Sequence, residues 1–285
     1  MAAAAPFSLS ALLARPPNEL DVIDVRGEDA FAAAHLADSG HIPLAELKAR
    51  RSELPPPGRS VIAIGADAEE AHAAASALIE MGWPEARVAC GWPGSGELER
   101  DPARWVTGPP ARLWRPAPFL EEALARFRDV VPDGPAADIA AGAGRDAVWL
   151  ALQGFQVEAW DHDAEALAGG EALAARHGVA LRSVVCDLEY GAAALPESRF
   201  ALVTCFRFLH RALLPRLATA LTPGGVLIYE TYRTGQERFG RPKNRRYLLE
   251  SGELVAAFAG LEILLSEEPD PTEGPVTSRL IARHS

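Results

Sequence analysis

Apolar and polar positions follow two rhythms along this chain, and each rhythm predicts one kind of element. Short β-branched runs, ELDVIDV from Glu19 to Val25 and SVIAI from Ser60 to Ile64, read as buried strands. The first leads through the polar turn Arg26 to Asp29 into an alanine-rich helix. The second leads through Gly65 into a helix, Glu69 to Met81, stopped by Gly82. Arg87 to Ala89 makes a further short strand before the glycine-rich GWPGSG. Strands alternating with helices predict a small parallel-sheet α/β domain.

A second and longer alternation begins at Pro118. FLEEALARFRDVV places Leu120, Leu124 and Phe127 on one helical face. After it come a strand ending near Asp138, a helix from Arg145, a strand from Phe155 to Trp160, a helix from Ala164 to His177, and strands Leu181 to Cys186 and Phe200 to Cys205. The pattern continues with a helix from Leu209 to Leu221, a strand from Gly225 to Thr231 and a helix from Ser251 to Phe258. Two closing strands, Leu261 to Ser266 and Thr277 to Arg283, are placed to pair as a hairpin. This order fits a doubly wound α/β sheet. Five prolines between Glu99 and Pro118 interrupt both rhythms, so the chain divides into 1–100, a linker 101–117 and 118–285. Trp105 and Trp114 predict that the linker packs rather than floats.

Composition narrows the class. With 285 residues, 48% hydrophobic and 24% charged, the chain is long enough for two cores, and disorder is excluded as its main state. A net charge of −11 disfavours nucleic acid and anionic membrane surfaces as general partners. Cys90, Cys186 and Cys205 are scattered and lack CxxC spacing, which predicts neither a disulfide framework nor a zinc site and points to the cytoplasm. The opening MAAAAPFSLS has no basic stretch ahead of its apolar residues, so no signal peptide is expected. No apolar run reaches membrane-spanning length.

The chemistry concentrates in DIAAGAGRDAVWLALQGFQVEAWDHD, Asp138 to Asp163. Ala141, Gly142, Ala143 and Gly144 carry almost no side chain, so a ligand can approach the backbone, and the next helix offers unpaired N–H groups. Asp161, after the second strand, stands where an acid accepts hydrogen bonds from a ribose. Gly142, Gly144 and Ala147 also satisfy a dinucleotide fingerprint. Spacing alone therefore indicates a nucleoside-containing cofactor without naming it.

Two resemblances refine this. DVIDVRGEDAFAAAHLADSGHIPLAEL, SVIAIGADAEEAHAAASALIEMGW and ARVACGWPG, across about positions 10 to 100, resemble a rhodanese-like domain. Sulfur-transferring members carry a cysteine directly after the central strand. Here Gly65 takes that position, and Asp67, Glu69 and Glu70 would repel an anionic substrate. The resemblance therefore implies a catalytically silent module used for packing, regulation or contact with a protein partner. Asp24 and Arg26 are expected to orient their own loops, and Cys90 to be a small buried hydrophobe.

Residues 118 to 285 resemble the class I S-adenosylmethionine-dependent methyltransferases, among them the tellurite-resistance and small-thiol group. Asp138-x-Ala140-x-Gly142-x-Gly144 stands where that family has an acid and three glycines, with Ala140 replacing the first. Thr222-Pro-Gly-Gly225 matches the turn into strand five. The resemblance implies S-adenosyl-L-methionine as cofactor, held by Asp138, Ala140, Gly142 and Gly144 at the turn, by Asp161 at the ribose and by Asp187 at the adenine, with Arg145, His162, Leu188 and Phe206 as further cofactor contacts. An acid before the glycines and another after strand three favour this over an NAD enzyme.

For the acceptor, His210, Glu230 and Tyr232 are the candidate catalytic groups, with His210 equally able to cap its helix; Tyr229 alternates with them into the core. Arg207, Arg211, Arg241 and Asn244 are candidate substrate contacts. Arg233 to Arg246, RTGQERFGRPKNRR, holds six basic residues and one acid, either as a lid in which Arg241 or Lys243 attracts an anionic acceptor or as a basic loop packed on the acidic first domain. The expected activity is methyl transfer to a small molecule, a thiol among the acceptors. A non-catalytic cofactor-binding scaffold and a tRNA-modifying enzyme are the alternatives.

Overall fold

The computed structural model describes residues 7–8, 21–90, 104–190 and 195–285, with backbone alone for Phe7, Ser8 and Cys90. The expectations for the Cys90 side chain and for the glycine-rich segment after it lie outside the described residues. Two compact units emerge, Met1–Arg115 and Pro116–Ser285. No described helix is long and apolar enough to cross a membrane.

In the first unit, β1 (Phe7–Ser8), β2 (Asp21–Asp24), β4 (Gly40–His41), β5 (Val61–Ile64) and β6 (Arg87–Cys90) form a parallel sheet in the order β1-β6-β5-β2-β4. The central strand β5 is wholly buried, as four consecutive apolar residues in a parallel sheet require. Helix α1 (Glu28–Ala33) follows β2. A two-residue strand β3 (His35–Leu36) pairs antiparallel with β7 (Trp105–Val106). The described part of the proline-rich stretch thus contributes a strand, and Leu113 joins the core of Ile23, Ile42 and Leu54.

Helix α2 (Ala68–Met81) is capped at both ends: the Asp67 carboxylate accepts the Glu70 N–H, and Gly82 turns left-handed at φ 110°. Asp24 and Arg26 form a buried bidentate pair, and the guanidinium also reaches the Ala34 carbonyl at 2.8 Å. Phe31 is stacked between His35 and His41, with ring centroids 3.8 and 4.2 Å away.

The second unit begins with α3 (Pro118–Phe127). Its sheet contains β8 (Pro135–Ile139), β9 (Gln156–Asp161), β10 (Leu181–Val185), β11 (Phe200–Phe206), β12 (Leu221–Tyr232), β13 (Glu262–Glu267) and β14 (Thr277–Arg283). The order is β10-β9-β8-β11-β12-β14-β13, parallel from β10 to β12 and closed by the antiparallel hairpin β13–β14. Helices α4 (Arg145–Leu152) and α5 (Ala164–Arg176) lie against β8, β9 and β10, and α6 (Leu214–Ala220) lies against β11 and β12. A last short helix is α7 (Glu253–Ala257). The strand order reverses between β8 and β11, and such a switch point opens a crevice at the carboxyl ends of the strands.

One element differs from its expectation. The helix predicted over Leu209 to Leu221 is a 3-10 turn, Arg211–Leu213, followed by α6 alone. Pro215 lacks an N–H and belongs in a first helical turn, while Leu221 is already paired with Phe200 in the sheet. Gly225 keeps β12 running through the Thr-Pro-Gly-Gly turn, because a Cβ there would lie 2.8 Å from the carbonyl oxygens of Phe200 and Thr222.

Candidate functional site

The glycine turn after β8 is held from its neighbour. The Ala141 N–H donates to the Trp160 carbonyl at 3.0 Å, and the Gly142 N–H donates to the Asp161 carboxylate at 2.8 Å. The other Asp161 oxygen accepts the Asp163 N–H at 2.9 Å. Ala140, Gly142 and Gly144 all adopt left-handed backbone, at φ 57°, 52° and 70°. Gly144 is glycine for space as well, since a Cβ would lie 3.2 Å from the Gly170 Cα of α5. Gly142 has nothing within 4 Å of where its Cβ would be.

Beside this turn lies a cavity of about 210 Å³, lined by Ala140, Asp161, His162, Cys186, Asp187, Leu188, Glu189, Tyr190 and Phe208. Five of the expected cofactor residues are therefore brought together: Ala140, Asp161, His162, Asp187 and Leu188. His162 Nδ1 stands 3.0 Å from Asp161, and the Asp187 carboxylate accepts the Glu189 N–H at 2.9 Å.

Asp138 sits behind the turn, only 2% exposed. One of its oxygens accepts the Thr204 hydroxyl at 2.9 Å, and the carboxyl also faces the Ala147 N–H of the first turn of α4, too poorly aligned there to satisfy the second oxygen. Burial, and then the charge of Asp146, push this carboxyl well above the usual range, while the Thr204 hydroxyl pulls the other way. Asp146 is itself raised by burial and accepts the Ala117 N–H at 2.6 Å, fixing the start of α3 against the first turn of α4. Arg145, next to it, is pressed below the usual guanidinium range by burial and by Arg207.

Several expected residues have other duties. Phe206 is the last residue of β11 and Phe208, not Phe206, lines the cavity. Arg207 between them is left-handed at φ 57°, which breaks the strand alternation. Glu230 is buried and accepts the Arg279 Nε–H at 2.6 Å across the β12–β14 pair, so its carboxylate is already spent on a cation. Arg211 is a structural clamp: it chelates Glu253 at 2.6 and 3.0 Å and donates to the carbonyls of Arg246 and Leu248. The Asn244 carbonyl caps its own turn by accepting the Arg246 N–H at 3.0 Å.

His210 precedes the 3-10 turn, and its imidazole makes no capping bond. Tyr232 is half-buried at the end of β12. Tyr229 is core, its hydroxyl donating to the Phe208 carbonyl at 2.6 Å. The basic segment is pinned by Arg233 to the carbonyls of Glu268 and Pro269, by Arg238 to Asp270 and by Arg246 to Glu189 at 2.7 Å. That last pair reaches the cavity wall. Arg241 and Lys243 stay exposed, with no side-chain hydrogen bond or ion pair among the described residues.

Sequence reasoning missed Cys186, Glu189, Tyr190 and Phe208. The first three flank Asp187 and Leu188 in one turn after β10, and that adjacency was the available signal. Phe208 had none, because its placement depends on the Arg207 backbone.

The turn, the acids at the ends of β9 and β10 and the strand order define a doubly wound α/β domain with a cavity at the carboxyl edge of its sheet. Family models agree on both units. Residues 136–225 match the methyltransferase domain family, and residues 8–94 match the rhodanese-like domain family. The chain thus carries a stretch similar to the rhodanese-like domain family in its first unit and one similar to the methyltransferase domain family in its second. No curated protein sequence matches it.

Among solved structures, TehB from Haemophilus influenzae is similar at 15% identity and a TM-score of 0.49, over 58% of this chain and 62% of that one, less than two thirds of its length. An S-adenosylmethionine-dependent methyltransferase from Mesorhizobium loti gives 20% identity and 0.46, over 58% of this chain and 100% of that one. Magnesium protoporphyrin IX methyltransferase from Synechocystis PCC 6803, solved with bound SAH, gives 16% and 0.47, over 58% and 81%. These are distant likenesses of fold.

Proposed function

We propose that the second domain transfers a methyl group from S-adenosylmethionine to a small-molecule acceptor, and that a thiol is the acceptor its chemistry suits. The cavity beside the left-handed glycine turn, with Asp161 and Asp187 in one wall, is the observation that supports this most. Asp161 spends two lone pairs on the amides of Gly142 and Asp163 and keeps others for ribose hydroxyls. Leu188 and Phe208 offer apolar surface for a base beside Asp187. A turn with open space at Gly142 also fits a polar ligand seated on this backbone.

When bound, S-adenosylmethionine supplies a methyl group activated by a sulfonium. The chain's own residues then have to align the acceptor and exclude water, and orientation carries much of such a rate enhancement. Of the expected bases, Glu230 is neutralised by Arg279, and His210 keeps a half-buried imidazole free of capping duty. A thiol asks least of a base, since with a pKa of about 8.5 a few per cent is ionised at neutral pH.

Titration calorimetry with S-adenosylmethionine, S-adenosylhomocysteine and NADH tests the cofactor. Micromolar binding of the first two alone is expected, and S-adenosylhomocysteine release with a panel of thiols then tests the acceptor. Binding of NADH alone would overturn the reading; silence from all three would favour a scaffold.

The first domain we read as catalytically silent. A Cβ at Gly65 would lie 2.6 Å from the Ala71 backbone nitrogen, so a cysteine does not fit there without moving the loop. The Ala66 N–H is taken by the Glu70 carboxylate at 2.6 Å. Absence of thiosulfate sulfurtransferase activity in the wild type and in Gly65→Cys is expected; activity in either would overturn it. Cys186 and Cys205 are free thiols, which supports a reducing compartment such as the cytoplasm.

A further inference from the structure

The edge of the sheet around the cavity is chemically lopsided. Asp161, Asp187 and Glu189 stand at the ends of β9 and β10. At the start of α4, past the glycine turn, and just after the end of β11 stand two cations, Arg145 and Arg207. Arg145 has Asp146 as its neighbour in the same helical turn. Arg207 is exposed, and its guanidinium has no hydrogen bond or ion pair among the described residues. It lies close enough to Arg145 and Asp146 for its charge to act on both.

The backbone at Arg207 is strained. A left-handed non-glycine residue costs about 1–2 kcal/mol, and this one sits at φ 57° with its N–H donating to the Glu230 carbonyl at 2.8 Å. Cys205 is paired with Ile139, the last residue of β8, so β11 ends beside the strand that leads into the glycine turn, and Arg207 follows one residue after that end. The next residue, Phe208, lines the cavity. Glycine or asparagine would make the same turn with less strain, yet a long cation occupies it. A strained residue next in the chain to one that lines a cavity is a candidate for function.

We propose that Arg207 reads an anionic group, a carboxylate or a small oxyanion, on the methyl acceptor. The proposal rests on the methyltransferase reading above. A guanidinium fork matches such a group with two parallel hydrogen bonds. The Arg246–Glu189 pair fastens the C-terminal end of the basic segment to the cavity wall, a local positive region within a chain of net charge −11. The cofactor's own carboxylate has the same chemistry, so the test must tell the two apart.

The full-length protein is saturated with S-adenosylhomocysteine and titrated with three thiols of similar length: 3-mercaptopropionate, 2-mercaptoethanol and cysteamine. The carboxylate thiol is expected to bind at least about tenfold more tightly than the other two. Arg207→Gln is expected to erase that preference while S-adenosylhomocysteine affinity changes by less than about threefold. Arg207→Gly, which relieves the strain and keeps the fold, should lose the preference equally. Equal binding of the three thiols by the wild type, or a preference that survives both substitutions, overturns the proposal. So does a loss of S-adenosylhomocysteine affinity of about tenfold or more, which assigns the guanidinium to the cofactor's carboxylate. Failure of the wild type to bind S-adenosylhomocysteine is a separate result that sinks the methyltransferase reading.

Discussion

Each unit places a small-residue turn after a buried parallel strand and before a helix, and the two turns use glycine for opposite reasons. After β5, Gly65 is glycine because there is no room: its Cβ would meet the Ala71 nitrogen at 2.6 Å and the Asp67 carbonyl at 3.1 Å. The turn is closed upon itself, with Glu70 occupying the Ala66 N–H. After β8, Gly142 is glycine because its backbone is left-handed, and the space beside it is empty. There the fastening acid, Asp161, comes from the adjacent strand and leaves the face of the turn open. A turn that satisfies its own amides has nothing to offer a ligand; a turn held from the side does.

The largest effect that sharpens this contrast is expected at Asp161. Asp161→Ala removes both the fastening of Gly142 and the ribose acceptor, two charge-assisted interactions of about 1.5–3 kcal/mol each, so S-adenosylhomocysteine affinity should fall by about 100-fold or more. Calorimetry checks it, with circular dichroism confirming that the sheet persists. Unchanged affinity would show that the acid serves the loop alone. The next effect is on stability, in the other unit. Gly65→Ala forces backbone apart and should destabilise the first domain by about 1–3 kcal/mol in denaturant unfolding, leaving S-adenosylhomocysteine affinity untouched. If it is neutral, the closed turn is softer than its geometry implies.

Much of this was legible in the sequence, and the exceptions share a physical cause. The β-branched runs, the Gly82 cap and the glycine turn are set by residues within one helical turn of each other, and local chemistry decides them. Asp161 and Asp187, singled out in the sequence, both line the cavity because strand ends on one edge of a parallel sheet must converge. Glu230 looked like a free acid because its partner, Arg279, is 49 residues away and becomes its neighbour only through the antiparallel pairing of β12 with β14. Arg211 looked like a substrate contact for the same reason, since Glu253 lies 42 residues on. Phe208 was overlooked because one left-handed residue, Arg207, redirects the chain. Long-range pairing and backbone strain leave no mark on local pattern.

A smaller effect separates charge from contact at the back of the turn. The Asp138 carboxyl titrates above its ordinary value, by burial first and the charge of Asp146 second. The folded chain therefore keeps a proton that the unfolded chain gives up, and stability is full below the unfolded carboxylate pKa of about 4 and declines as pH rises towards the folded value. Asp138→Asn removes that decline and keeps an oxygen for the Thr204 hydroxyl. Its thermal midpoint should exceed the wild type by about 2–5 °C at pH 7, with the gain vanishing near pH 4. A gain that does not depend on pH would locate the effect in packing. A loss of S-adenosylhomocysteine affinity beside the gain would show that the unpaired oxygen of Asp138 serves the ligand.

The smallest expected effect bears most directly on what the open turn requires. Ala140 holds φ 57° with a side chain that glycine would spare it. Ala140→Gly relieves about 1–2 kcal/mol of left-handed strain and gives back about 0.5–1 kcal/mol in the entropy of the unfolded chain, so the second domain should gain up to about 1 kcal/mol. Gly142→Ala is its mirror: it adds a methyl group to empty space but imposes left-handed strain, and should cost about 1–2 kcal/mol without any clash. Opposite signs at the two positions, read by thermal unfolding, would show that backbone conformation governs this turn, where space governs the one at Gly65. If Gly142→Ala costs well over about 2 kcal/mol, more than left-handed strain alone accounts for, the open face is filled, and the contrast between the two turns fails.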